Sequence, residues 1–292
     1  MREAHDNKDY RIACKDHLVS GETFFLQHDE IYDMLITTPK PENDKLPEYY
    51  QSQNYISHSE EKKSWFEKTY HFVRRYTSKK KVKLLNKLHP EKGTLLDIGA
   101  GTGSFLSKAK ANGWEVYGIE PDEQARKLAK AKGITLEFEI QKSQLQRYDV
   151  ITLWHVLEHI PDVQKQLTQL KMLLSPNGIL IIAVPNYKSF DARYYKSYWA
   201  GYDVPRHLWH FSKTAVKKLC AAHNLNVVNS TPMYFDAFYV SLLSEKYKTG
   251  SMNVIKASVI GGMSNFNAFF KTGEYSSLIY IVKHQNNDFK AL

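Results

Sequence analysis

Short apolar segments alternate with helical segments through the middle of this chain, and that order limits its fold more than any other feature. Alternating or continuous apolar runs predict strands, and apolar residues at three- and four-residue spacing predict helices. The predicted strands are 94–98, 114–119, 134–138, 149–153 and 179–184, with helices at 103–112, 123–131 and 163–174 between them. Strands separated by helices form a parallel sheet covered on both faces, so the carboxyl ends of the strands meet at one ligand-binding edge.

The whole chain is therefore predicted to be an α/β protein with a doubly wound, Rossmann-like sheet of seven strands. The sheet is expected to be mostly parallel, with the last strand, at 275–282, antiparallel to its neighbours. We expect an N-terminal arm or small subdomain at 1–45, a helical segment at 46–92 and the main domain at 93–292. Insertions at about 187–213 and 241–272 are expected to form a lid.

The turn after the first of these strands is rich in glycine, with Gly99, Gly101 and Gly103 at alternate positions. Glycine adopts positive φ angles and lets a ligand approach the backbone closely. A dinucleotide site would have its third glycine at the position of Ser104, and the chain has no Gly-Lys-Ser/Thr for a nucleoside triphosphate. Glu120 ends the second strand, where an acid can accept hydrogen bonds from two ribose hydroxyls. The pattern favours a ligand that has a ribose but no pyrophosphate.

The run from Leu95 to Leu106 resembles motif I of the class I S-adenosylmethionine-dependent methyltransferases, and Glu120 resembles their ribose-binding acid. The resemblance implies S-adenosylmethionine as the cofactor, with the loop holding its methionine part and Asp97 serving its ammonium group. Tyr55 and His58 either close over the cofactor or simply pack. The residues expected to contact the cofactor are Asp97, Gly99, Ala100, Gly101, Gly103, Glu120, Pro121, Leu153, Trp154, His155, Tyr55 and His58.

Two further segments carry the resemblance. Residues 149–159 resemble the fourth-strand motif of the group that includes the ubiquinone-biosynthesis O-methyltransferases, and 202–207 is similar to a segment of bacterial members with sugar or quinone-type acceptors. Such relatives often begin with a Cys-rich zinc ribbon, of which this chain keeps only Cys14, so the arm is interpreted as a degenerate ribbon without zinc.

Candidate catalytic residues follow the fourth strand directly. His155, Glu158 and His159 have the spacing that places three side chains on one face of a helix. One interpretation is a general base, His155, His159 or the distal His207, because histidine titrates near neutral pH. Another is a divalent metal site in which His207 or His210 joins Glu158 and His159 to orient and acidify a hydroxyl. The third is a purely structural role in capping and packing.

Asp203 and Arg206 lie in an aromatic segment beyond the fifth strand. Arg206 could bind a carboxylate or phosphate of the acceptor through two parallel hydrogen bonds. Alternatively, an ion pair between Asp203 and Arg206 holds the insertion in place.

Composition narrows the classes of partner. The 40 lysines and arginines exceed the 31 acids by nine, and the excess includes Arg74-Arg75 and Lys79-Lys80-Lys81, which we interpret as a solvated helix face. Nucleic acid is not expected as a partner, since no recognition motif accompanies the charge. Two distant cysteines, Cys14 and Cys220, and a polar N-terminus favour a cytoplasmic protein without a disulfide framework, and no apolar run is long enough to span a membrane.

The function expected from these features is methylation of oxygen on a small hydroxylated acceptor, such as a sugar, quinol or phenol. The alternatives are N-methylation of a small amine and cofactor binding without turnover.

Overall fold

The structure is a computed structural model that describes residues 11–42, 44–50, 65–140 and 147–285. In chain order its elements are β1 (Arg11–Lys15), β2 (Thr23–Asp29), β3 (Met34–Thr38), α1 (Trp65–Leu88), β4 (Thr94–Ile98), α2 (Ser104–Ala111), β5 (Glu115–Ile119), α3 (Glu123–Lys130), β6 (Tyr148–Trp154), α4 (Val163–Leu173), β7 (Leu174–Pro185), α5 (Phe190–Tyr195), β8 (Trp209–His210), α6 (Lys213–Ala222), β9 (Leu225–Pro232), α7 (Tyr234–Thr249), α8 (Val254–Asn267) and β10 (Ser277–His284).

The main sheet has the strand order β5-β4-β6-β7-β10-β9. Strands β5, β4, β6 and β7 pair in parallel, and β10 is antiparallel to both β7 and β9. This confirms the mostly parallel, doubly wound sheet and the antiparallel last strand. Among the described residues this sheet has six strands rather than the predicted seven. The segment at 134–138 meets the sheet at one bridge, Ile119 with Glu137, because it lies at the edge and only Glu137 bonds the β5 backbone.

Both faces of the sheet are buried, which explains the continuous apolar runs of its strands. Successive side chains of β4 point to opposite faces, so Leu95 packs with α1 and α2, while Leu96 packs in the cluster that includes α4 and α6. The side chains of β4 thus contact helices on both faces of the sheet.

The N-terminal arm forms a second sheet with a distant part of the chain. Strands β1, β2 and β3 pair antiparallel, and β8 adds to β3 through Leu35 with His210 and Ile36 with Trp209. Cys14 is buried in the adjoining apolar cluster, and burial raises the pKa of its thiol to about 12. The arm and the first predicted insertion therefore form one unit beside the main sheet.

Arg206 joins this unit together. It is almost fully buried, and its guanidinium donates to the carboxylates of Asp203 and Asp16 at 2.7 and 2.9 Å and to the carbonyl oxygen of Tyr49 at 2.9 Å. The ion pair with Asp203 was one of the two sequence-based interpretations, and Asp16 was not foreseen. Because protein groups occupy its donors, Arg206 does not serve as the acceptor grip that the other interpretation proposed.

The second insertion is largely helical. Helices α7 and α8 pack against each other, with Gly261 of α8 so close to α7 that an added Cβ would lie 2.9 Å from the Cα of Phe238. One π-helical turn, Ala268–Thr272, follows α8 and leads towards β10. Among the residues described here, no helix is long and apolar enough to cross a membrane.

We predict that Arg206→Met lowers the free energy of unfolding by about 3–5 kcal/mol, because it leaves the Asp16 carboxylate buried without its counter-ion. Urea unfolding followed by circular dichroism measures the change. The control is Arg193→Met, since Arg193 is exposed and should cost no more than about 0.5 kcal/mol. An equal effect of the two substitutions would contradict the structural role assigned to Arg206.

Candidate functional site

The glycine turn leads from β4 into α2 with all three glycines in the left-handed region, at φ angles of 67°, 54° and 68° for Gly99, Gly101 and Gly103. A Cβ at Gly99 would lie 2.5 Å from Val156, and one at Gly103 would lie 2.9 Å from the Cβ of Ala129. A Cβ at Gly101 would meet no atom within 4 Å. Packing therefore requires the outer two glycines, and the middle one faces open space where a ligand can approach.

Glu120 follows β5 and lies beside this turn. One carboxylate oxygen accepts a hydrogen bond from the backbone N–H of Gly101 at 2.7 Å, and the other accepts from that of Asp122 at 3.0 Å. Each carboxylate oxygen has a further lone pair for another donor. Pro121 comes next and is exposed, and its carbonyl oxygen accepts from Arg126.

Asp97 lies near the end of β4 with its side chain buried. Its carboxylate accepts a 2.6 Å hydrogen bond from the hydroxyl of Thr152 on the adjacent strand β6. Burial raises the pKa of Asp97 to about 7, although the Thr152 hydroxyl and the positive charge of Lys81 oppose that rise. Burial destabilises the ionised form of this carboxylate. A cationic ligand would stabilise that form, because opposite charges attract.

Trp154 ends β6 at the same edge of the sheet. Its ring lies edge-on to Phe105, and the ammonium of Lys81 lies 4.3 Å from its centroid. Within the described ranges, its buried Nε1 has no hydrogen-bond acceptor. A buried indole N–H without an acceptor is costly, so this donor is suited to an oxygen of a bound ligand. Leu153, the preceding residue, is part of the apolar core.

The structure contradicts the solvated-face prediction for one lysine of the run, the half-buried Lys81, whereas Lys79 and Lys80 are exposed. Lys81 lies over Trp154, and the ammonium of Lys80 is 5.8 Å from the ring centroid of Phe235 on α7. The reason is that α1 packs along α2 and brings its last turns to the cofactor edge.

His155 comes directly after β6, and its φ of 57° takes it out of any right-handed helix. The one-face helical arrangement expected from the spacing therefore does not form, and only a single 3-10 turn, Leu157–His159, follows. The imidazole bridges two carboxylates: Nδ1 is 3.3 Å from Glu158, and Nε2 is 3.1 Å from Asp236 on α7. Burial lowers the pKa of His155, but these two carboxylates outweigh it and raise the pKa to about 9.

Glu158, His159 and His207 form a compact group, in which one potential ligand atom of each lies within 4.8 Å of the others. Nδ1 of His159 is 3.0 Å from the hydroxyl of Tyr50 and 3.1 Å from the carbonyl oxygen of Arg206, and Nδ1 of His207 is 2.9 Å from the carbonyl oxygen of Gly201. If these nitrogens donate to the carbonyls, each ring keeps a lone pair on Nε2. The second carboxylate oxygen of Glu158 is buried and has no hydrogen-bond partner among the described residues.

Charge at this group follows from burial and from the neighbouring ions. Burial would raise the pKa of Glu158, but the hydrogen bond from His155 and the adjacent histidines hold it below its ordinary value. Burial lowers the pKa of His159 to about 4, assisted by His207, so its ring is neutral at pH 7. An ionised carboxylate and a neutral imidazole are the forms that bind divalent metals.

His210 and Ala100 do not belong to the group of Glu158, His159 and His207, although Ala100 lies within the glycine turn. His210, the alternative third ligand, is bonded to the hydroxyl of Thr37 at 2.9 Å, and its ring centroid is 6.4 Å from that of His207. Ala100 contributes its backbone N–H to the carbonyl of Ile119. Tyr55 and His58 lie outside the described residues.

Three residues of this edge were missed in the sequence: Thr152, Lys81 and Asp236. Thr152 could have been found, because it is the one polar residue in an otherwise apolar strand core between Val150 and Leu153. Asp236 lies in a distant helix and carries no local signal, since its role exists only through its contact with His155.

Comparison with known proteins agrees with this architecture. A family described as "Methyltransferase domain" matches residues 70–230, which is more than half of the chain. Ubiquinone biosynthesis O-methyltransferases are similar over a shorter stretch, with 36% identity over 107 residues for that of Actinobacillus pleuropneumoniae and 31% over 118 for that of Coxiella burnetii. These alignments cover 32% and 37% of this chain and 45% and 50% of the relatives, so the chain aligns with about half of their length.

Solved structures share the fold at low sequence identity. Magnesium protoporphyrin IX methyltransferase from Synechocystis, solved with S-adenosylhomocysteine, superposes with a TM-score of 0.54 at 16% identity, over 82% of this chain and 99% of its own. A methyltransferase of Thermotoga maritima gives 0.51 at 17% identity, over 75% and 94%. The family match over residues 70–230, which agrees with the glycine turn, the acid after β5 and the antiparallel last strand, shows that the chain belongs to the methyltransferase-domain family of class I S-adenosylmethionine-dependent methyltransferases.

Proposed function

We propose that this methyltransferase transfers the methyl group of S-adenosylmethionine to an oxygen atom of a small hydroxylated acceptor, of the sugar, quinol or phenol type. The observation that carries the proposal is the group of Glu158, His159 and His207 beside the carboxyl end of β6. A hydroxyl must lose its proton to become a good nucleophile, and this group can bind or polarise it. The similarity to ubiquinone-biosynthesis O-methyltransferases supports the same acceptor chemistry.

The cofactor has a matching cradle at the neighbouring strands. We infer that its ribose lies at Glu120, its methionine part passes over Gly101, and its ammonium group faces Asp97. The N–H of Trp154 then donates to a cofactor oxygen, which satisfies its buried donor. The cofactor supplies an electrophilic sulfonium methyl, and the protein's part is to hold it in line with the acceptor oxygen.

His155 is an unsuitable general base because its two carboxylate partners keep it protonated at neutral pH. We assign it to a positioning role between Asp236 and Glu158. His159 and His207 remain as the groups that face the acceptor, with His159 neutral at pH 7. A base with a pKa near 4 accepts a proton weakly, so His159 acts better as a ligand than as a base.

The three side chains fit a divalent metal ion. Glu158 offers an unpartnered carboxylate oxygen, and both histidines bond their Nδ1 to backbone carbonyls, as metal-binding histidines commonly do. Such an ion would supply Lewis acidity to an acceptor hydroxyl. N-methylation of an amine is the second candidate function, and cofactor binding without turnover is the third. Neither needs the Glu158 group, since a neutral amine is already nucleophilic.

Gly101→Ala is expected to weaken binding of S-adenosylhomocysteine by at least about tenfold, because the new methyl group enters the space assigned to the cofactor. Isothermal titration calorimetry measures the affinity. Gly133→Ala is the matched control, since Gly133 also has a positive φ with no atom near its Cβ position. Equal affinities for the two variants would place the cofactor elsewhere.

His155 is expected to titrate near pH 9 in the free protein, measured by NMR of its ring resonances in the presence of EDTA. Asp236→Asn should lower that pKa, because the substitution removes one of the two negative charges that stabilise the imidazolium. A ring that is already neutral at pH 7 in the wild-type protein would restore His155 as a candidate base.

Glu158→Gln and His159→Ala are expected to reduce methylation of hydroxyl acceptors and binding of Mn²⁺ or Zn²⁺ by at least about tenfold each. Activity is scored as S-adenosylhomocysteine release with a panel of catechols, quinols and sugars, before and after EDTA, and metal binding by calorimetry. His223→Ala, on the C-cap of α6, is the control. If EDTA has no effect and amines are methylated instead, the oxygen-acceptor proposal is wrong.

A further inference from the structure

Helix α8 buries small residues and exposes large apolar ones, which is the reverse of the usual pattern of a surface helix. The side that packs into the protein carries small residues, Ala257, Gly261 and Ser264, with Ile260 between them. The opposite side carries large apolar residues that are exposed to solvent. We call this side the α8 apolar face, and it consists of Ile255, Val259, Met263, Phe266, Phe269 and Phe270.

The α8 apolar face is continuous and strongly exposed. Its first four residues recur at intervals of three or four, so they form one stripe along the helix, and the π-helical turn that follows adds two phenylalanines. Ile255 is 80% exposed and Phe266 is 62% exposed. The rings of Phe266 and Phe270 contact each other at 4.5 Å between centroids. Clustered exposure of this kind is typical of a surface that binds another protein or a membrane.

Three cations lie around this face, against one nearby acid, Glu274, that has no cationic partner among the described residues. Lys271 follows the phenylalanines and is exposed, Arg193 donates to Asn267 at the end of α8, and Lys213 reaches Gly273. Glu245 is buried and paired with Lys256, and Glu274 accepts from Asn186. The face therefore presents apolar side chains with a positive rim, which complements a bilayer with anionic headgroups.

A second copy of the chain is a poorer match. A symmetric dimer through this face would bring the same cationic rim of two molecules together, because a two-fold contact repeats one surface on both sides. The face is also a convex helix with phenylalanines at its end, a shape suited to insertion among lipid headgroups and acyl chains.

The same insertion lies at the catalytic edge. Helix α7, against which α8 packs, provides Asp236 to His155 and exposes Phe235 and Phe238. A surface that docks through α8 therefore lies beside the mouth of the site. We propose that the α8 apolar face docks this enzyme onto the surface of a lipid bilayer containing anionic lipids.

The test is flotation of the full chain with vesicles of phosphatidylglycerol mixed with phosphatidylcholine. The wild type should float with these vesicles, less with phosphatidylcholine alone and less at high salt. Replacing Phe266, Phe269 and Phe270 together by serine should reduce the partition coefficient by at least about a hundredfold. An independent pair, Ile255→Ser with Val259→Ser, should reduce it by at least about tenfold.

Met172→Ser is the control, because Met172 is exposed to the same extent as Phe266 but lies on α4. It should float like the wild type, and all variants should bind S-adenosylhomocysteine unchanged, which separates this test from that of the methyltransferase site. Two results would overturn the proposal. One is a wild type that binds neither kind of vesicle. The other is a dimer, seen by light scattering, that the phenylalanine substitutions dissociate.

Discussion

The buried guanidinium of Arg206 is the contact on which the site depends most. It holds Asp16 of the N-terminal sheet, Asp203 of its own loop and the backbone at Tyr49 in one place. His207 is the next residue, so the position of its imidazole follows from that of Arg206. A buried charge whose three guanidinium nitrogens all donate to protein groups fixes a conformation, because any alternative leaves a carboxylate without a partner. The N-terminal sheet thus helps to position His207 at the edge of the main sheet.

Glu158 connects the two halves of that edge. One of its oxygens bonds His155, which Asp236 holds from the other side, and its carboxylate also lies within 4.8 Å of a ring nitrogen of His159 and of His207. The carboxylate stays ionised because cationic or polar rings surround it. The result is one positive ring next to the cofactor strand and one neutral ring deeper in the group, from two histidines only four positions apart. Environment rather than residue type separates their roles.

Much of the fold and of the cofactor cradle could be predicted from the sequence, because the signals are local. The positive φ of Gly101, the acid after β5 and the buried strands all arise within one strand-turn-helix-strand unit. The arrangement of His155, Glu158 and His159 could not be predicted, because their contacts are not local in the sequence. The helical spacing of His155, Glu158 and His159 indicated a shared face, yet the backbone turns at His155 and sends the rings to different partners. Local spacing cannot report a left-handed residue in a non-glycine position.

The sequence by itself determined the parallel sheet, its antiparallel last strand and the cofactor, since periodicity and glycine spacing are properties of neighbouring residues. Only the tertiary structure decided that Arg206 bonds Asp16, 190 positions away, rather than a ligand. It also decided that Lys81 covers Trp154 and that Asp236 restrains His155. Each of these contacts joins segments far apart in the chain, and their energy depends on burial that only the packed molecule creates.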